Sequence, residues 1–92
     1  MRSLTRKINQ FTAKLLDLPQ DVALDLPRIT MIGNLQLYIE NHRGVIHFSS
    51  ESLKLALPKG RLEVTGSNLA IRAIMPDEVM IEGTIRDVQY ML

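Results

Sequence analysis

Cysteine is absent from the 92 residues, and so is tryptophan. Without thiols there is no disulfide framework and no thiolate zinc site, and a reducing compartment is permitted. Aromatic residues reach only 4% of the chain, too few to build stacking platforms for nucleic-acid bases. Apolar runs are only a few residues long, which excludes a membrane-spanning helix. The first residues do not read as a secretory signal, so a cytoplasmic protein is expected. The two histidines, His42 and His47, have no companions at metal-ligand spacing. Five glycines stand singly and leave no phosphate-cradling loop. Ser49, Ser50 and Ser52 lie near His47 but form no nucleophile elbow. Glu63, Glu82 and the Asp77-Glu78 pair read as solvated carboxylates, not as an acid–base couple. The chain therefore reads as non-enzymatic, with no cofactor and no metal.

What the sequence has is a rhythm. Ile29-Thr30-Met31-Ile32-Gly33, Ile46-His47-Phe48-Ser49-Ser50, Leu62-Glu63-Val64-Thr65-Gly66 and Val79-Met80-Ile81-Glu82-Gly83 each run apolar, any, apolar, any, small, starting 17, 16 and 17 residues apart. The first three are followed by a second alternating run: Leu35, Leu37, Ile39; Leu53, Leu55, Leu57; Leu69, Ile71, Ala73. After the fourth come Ile85, Val88 and Tyr90, whose parity changes midway, and a bulge near Arg86-Asp87 would restore the inward face. Period-2 alternation is the mark of half-buried strands. Turn signals separate them at Gly33-Asn34, Asn41–Gly44, Ser49–Ser52, Pro58–Gly60, Gly66–Asn68 and Pro76–Glu78. The fold class is mainly β with an N-terminal amphipathic α-helix. The even spacing favours a rolled, solenoid-like sheet of about four two-strand units. An antiparallel meander or β-sandwich satisfies the same strands, and the Asn41–Gly44 segment, read as a hairpin loop, points that way.

The N-terminal part differs in kind. Leu4, Ile8, Phe11 and Leu15 fall on one stripe of a helix over residues 3–16, ended by Leu18-Pro19. Arg2, Arg6, Lys7 and Lys14 give residues 1–16 a charge of +4 with no acid, and the remainder carries −3. A connector follows, so that residues 1–28 stand apart from a β domain over 29–92. The acidic balance of that domain repels phosphate, and no nucleic-acid partner is expected. The eight stripe and basic residues are the candidate binding site. They would either lie on an anionic membrane surface or cover the sheet or a partner.

Leu26-Pro27-Arg28-Ile29-Thr30-Met31-Ile32-Gly33, Tyr38-Ile39-Glu40-Asn41-His42-Arg43-Gly44 and Glu78-Val79-Met80-Ile81-Glu82-Gly83 together resemble the YabP/YqfC family of sporulation proteins. The likeness covers nearly the whole chain. It implies a small protein of endospore formation acting in the mother cell, encoded beside a larger membrane-anchored sporulation protein, YqfD, which becomes the first partner to test. It carries over no catalytic residue. The combined expectation is a β scaffold or adaptor that binds a protein partner, self-associates through open strand edges, and sits in the cytoplasm or peripherally on the forespore-surrounding membrane. A peripheral membrane-binding module using residues 2–16 is the alternative.

Overall fold

The computed structural model describes residues 24–92. Six strands make one open antiparallel sheet: β1 (Arg28–Ile32), β2 (Gln36–Glu40), β3 (Gly44–Phe48), β4 (Ser52–Ala56), β5 (Arg61–Ile74) and β6 (Glu78–Met91). Their spatial order is β1-β2-β6-β5-β4-β3. The expected helix over 3–16 lies outside the described residues. The β region begins at Arg28, one residue before the expected boundary.

Alternation decides which side of each strand is buried. Leu37 and Ile39 of β2, Leu53 and Leu55 of β4, Leu62 and Val64 of β5, and Val79 and Ile81 of β6 are fully enclosed, and with Leu57, Leu69 and Ile85 they form one apolar cluster. Cross-strand partners match: Leu37 faces Ile81, Ile39 faces Val79, Leu53 faces Val64 and Leu55 faces Leu62. Each such side chain contributes about 1.5–3 kcal/mol by leaving water. The intervening residues, among them Lys54, Glu63 and Glu82, occupy the other side of the sheet.

The solenoid expectation is corrected here. Stacked coils would lay the strands parallel, whereas every pairing is antiparallel. The repeat has another origin. In the first two units the small residue ends a strand and the chain reverses, at Gly33 between β1 and β2 and at Ser50 between β3 and β4. In the last two the chain continues, through Gly66 in β5 and Gly83 in β6. All four small positions meet at one waist. The β1–β2 turn supplies the carbonyls of Leu35 and Asn34 to the N–H groups of Gly83 (3.0 Å) and Ile85 (2.8 Å), and the β3–β4 turn supplies those of Glu51 and Ser50 to Gly66 (3.0 Å) and Leu69 (2.8 Å). Two short hairpins thus flank one long hairpin about its middle.

That middle is bent. The β5–β6 register shifts three times, between Thr65 and Gly66, between Ser67 and Ala70, and between Ile71 and Ala73. The first shift leaves Arg86 unpaired on β6, the bulge that the parity change called for. Its guanidinium donates to the Gly66 carbonyl at 3.0 Å and pins it. The segment Gly66–Asn68 is accordingly a stretch of bulged strand and not a turn.

The bend rolls the sheet. Asn41–Gly44, expected as a hairpin loop, is instead a crossing from one half to the other over Asn41–Arg43, with Gly44 opening β3. His42 donates its backbone N–H to Asp77 (3.0 Å), before β6, while Arg43 donates to Ala56 (2.7 Å), at the end of β4. Adjacent residues hold those two carbonyls within about 10 Å of each other. Ala56 pairs with Arg61, which pairs with Met91 at the far end of β6. Two lateral steps add about 10 Å. A straight strand of β6's length would instead separate its ends by about 45 Å. Bulges, which bend a strand and tighten its twist, supply the difference.

Candidate assembly interface

Among the described residues the rolled but open sheet has two edges, β1 and β3, and they are unlike. β3 carries a register shift between Val45 and His47 that leaves Ile46 as a bulge. β1 has none: its five residues pair without interruption, Arg28 with Glu40 through Ile32 with Gln36. Bulges, lysines and prolines are the usual guards of an edge against foreign strands. Among the described residues β1 has no bulge, no lysine and no proline, and carries one charge, Arg28 at its first position. It is also apolar and exposed, Met31 by 47% and Ile32 by 61%. At the adjoining turn Leu35 is 60% exposed, and Gly33 takes a φ of 53° that a side chain would resist.

Beside this turn lies a shallow groove of about 450 Å³, lined by Ile32, Leu35, Gln36, Asn68, Ala70, Glu82, Gly83 and Thr84. Its two large aliphatic side chains, Ile32 and Leu35, belong to β1 and its turn, and Asn68, Glu82 and Thr84 belong to the waist. Glu82 is engaged by Arg72 on the neighbouring strand. The groove offers amides, a hydroxyl and a carboxylate paired with an arginine. That is a surface for hydrogen bonding and apolar contact, without a nucleophile set against a base.

Polar groups on the exposed side fix the neighbouring strands. Glu40 and Glu78 stand directly across β2 and β6, a costly like-charge pairing. The Tyr38 hydroxyl donates to Glu78 and engages it. The same bond, reinforced by burial and by the charges of Glu78, Glu40 and Asp77, pushes the Tyr38 phenol up to about 12. Arg43 grips Asp25 with both carboxylate oxygens at 2.9 Å, and Asn41, in a left-handed conformation, donates to the same carboxylate at 3.0 Å. These two donors, Asn41 foremost, hold the Asp25 carboxyl below its ordinary range. Together they tie the chain ahead of β1 to the crossing.

His42, expected in a polar turn, is 2% exposed. Its Nδ1 accepts the Gly44 N–H at 2.9 Å, which leaves the ring proton of the neutral form on Nε2. Nε2 is buried and has no partner. The only sequence signal was Gly44, two residues on. His47 lies on the other side of the sheet, across from Lys54. The structure does not bring the two histidines onto one strand or into one cluster with acids. Among the described residues no group of three or more His, Cys, Asp or Glu is placed to hold a metal ion. Among them too, no helix is long and apolar enough to cross a membrane.

The sequence-derived binding residues Arg2, Leu4, Arg6, Lys7, Ile8, Phe11, Lys14 and Leu15 all lie outside the described residues. The sheet edge at β1 was anticipated only in general terms. No sequence signal distinguished it from β3, because both are short and rich in β-branched residues.

Fold and surface of the described residues define a small antiparallel β protein whose β3 edge is bulged and whose β1 edge is not. Comparison with known sequences narrows this further. The YabP family model matches residues 25–91, from just before β1 to the last residue of β6, and the chain belongs to that family. It is 45% identical over 84 residues to the uncharacterized protein YqfC of Bacillus subtilis (strain 168), an alignment covering 91% of this chain and 90% of that one.

Proposed function

We propose that this protein is a non-enzymatic scaffold or adaptor of endospore formation, working in the cytoplasm of the mother cell by strand addition at β1. The observation that carries the reading is the uninterrupted, apolar, unguarded β1 edge of a sheet whose opposite edge is bulged. An exposed edge presents unpaired N–H and C=O groups that a partner strand satisfies at little conformational cost. Membership of the YabP family supports the sporulation setting, and a membrane-anchored protein such as YqfD is the partner of first choice. The test is co-purification with YqfD of the wild type, of Ile32→Lys, and of a chain lacking residues 1–16. Loss of capture with Ile32→Lys assigns the edge, and loss with the truncation assigns the basic segment. Failure of the wild type to capture it removes YqfD from the proposal.

The +4 charge and apolar stripe of residues 1–16 favour a second reading, a peripheral membrane module. Flotation of the purified protein with vesicles containing anionic lipid, and absence of flotation with neutral vesicles, is its expected signature. No flotation with either discards it.

A further inference from the structure

We infer that β1 pairs antiparallel with β1 of a second copy, in the register that sets Thr30 against Thr30. The inference rests on the assembly reading above, with a second copy as the strand added at β1, so that a membrane partner reaches this edge only by displacing that copy. Three observations select this occupant. The first is regularity. β1 keeps one register along all five residues, while the bulge at Ile46 interrupts the β3 ladder.

The second is the face pattern. Ile29 and Met31 stand across from Ile39 and Leu37, which face Val79 and Ile81, so they belong to the buried side. Paired residues in an antiparallel ladder point to the same side. In the Thr30-centred register Ile29 meets Met31 of the second copy, and the converse. The apolar row Val79-Ile39-Ile29 then runs straight into Met31-Leu37-Ile81 of the other molecule. A slip by one residue would join the buried side of one copy to the solvent side of the other.

The third is charge. Arg28 is the only charged residue of the strand. Antiparallel pairing places it opposite Ile32 of the second copy, about 13 Å along the strand from the other Arg28, so that neither arginine has to give up its own contacts to admit the other. Parallel pairing would set them side by side. The result is a closed two-fold pair with a continuous twelve-stranded sheet and a β3 edge at each end. Five paired residues per chain bury far less than the roughly 1,600 Å² of a standard interface, so the association depends on concentration.

The cysteine-free sequence makes the test direct. Thr30→Cys, Ile32→Cys and Ile46→Cys are prepared in the full chain and oxidised at equal concentration, and the mass of the wild type is followed by sedimentation equilibrium. Opposed residues across a strand pair bring Cβ atoms to about 4.5–5.5 Å, close enough for a disulfide after small adjustment. Thr30→Cys is expected to cross-link at least tenfold faster than the other two, and the wild-type mass to rise from 10.4 kDa towards twice that value. Equal rates for all three overturn the register. If the wild type nevertheless associates, assembly through another surface stands. A wild type that stays monomeric at the highest concentration overturns the pairing outright, and capture of a membrane partner by that monomer would leave the adaptor reading intact.

Discussion

A methyl group placed on Gly83 would lie 2.6 Å from the carbonyl oxygen of Asn68, on the strand beside it. The two residues occupy the waist of the long hairpin, where Gly83 adopts a φ of 141° and Asn68 a φ of 55°. Both the close approach and the conformation require glycine at position 83. Gly83→Ala is therefore expected to cost more than about 2 kcal/mol, combining backbone strain with a clash against main chain. Gly33→Ala meets nothing within 4 Å and should cost only the left-handed penalty of about 1 kcal/mol. Urea denaturation of the two variants checks the ranking, and equal midpoints would refute the close approach at the waist.

Tyr38 supplies the second prediction. Its phenol titrates at about 12 because Glu78 accepts its hydrogen. A folded-state value raised above the ordinary 10.0 stabilises the protein fully below pH 10, and that contribution is lost as pH climbs through about 12. Glu78→Gln should bring the Tyr38 midpoint down, as read by the tyrosinate absorbance of the folded protein. An unmoved midpoint would mean that the hydrogen bond does not set it.

Asp25 has the opposite sign. Its carboxyl is depressed by Asn41 first and Arg43 second. The stabilisation is present above the ordinary carboxylate value and disappears as pH falls through the depressed one. Following the Asp25 carboxyl by NMR, Asn41→Gly should raise its midpoint more than Arg43→Ala does. Glycine is chosen because Asn41 holds a φ of 67°. The reverse order would make the guanidinium the main partner.

His42 supplies the fourth. Asparagine at this position keeps an acceptor near the place of Nδ1 and so preserves the Gly44 bond, whereas leucine removes it. His42→Leu also removes the orphaned Nε2 donor, so a buried unpaired group is exchanged for another, the Gly44 N–H. Leaving that amide unsatisfied costs about 1–3 kcal/mol, and thermal unfolding should rank His42→Asn above His42→Leu. The opposite ranking would show that an acceptor for the Gly44 N–H is not what this buried position requires.

The centre of the buried face was legible in the sequence, although Met31, Leu35 and Ile46 belong to the same alternating runs and are exposed. Leu37 and Ile39, Leu53 and Leu55, Leu62 and Val64, Val79 and Ile81 alternate in the chain as they do in the sheet, since a half-buried strand has a period of two. The Arg86 bulge was legible for the same reason, as a break in parity. Direction was not. Alternation is identical in parallel and antiparallel strands, so a 17-residue spacing fits a coil as well as a hairpin. Gly33 and Gly66 look alike on paper, yet one sits in a reversal and the other in a strand that continues. Carbonyls distant in sequence decide the second outcome, Glu51 accepting from the Gly66 N–H and Ser50 from that of Leu69. Asn41–Gly44 reads as a loop for any of its polar residues, and only the carbonyls of Asp77 and Ala56 make it a crossing. The β1 edge became a candidate site through contrast with β3, which is a property of the pairings.

The spatial order of the strands has a kinetic consequence. Every neighbouring pair except β2 and β6 joins consecutive strands through a short connection. Those hairpins close small loops on microsecond timescales. The β2–β6 seam must instead bring together residues such as Leu37 and Ile81, and the entropy of that long closure is lost before any contact rewards it. Joining the early and late parts of the chain is thus expected to be the slow event of folding, and until it happens β2, paired with β1 on one side, keeps its other edge open to another molecule.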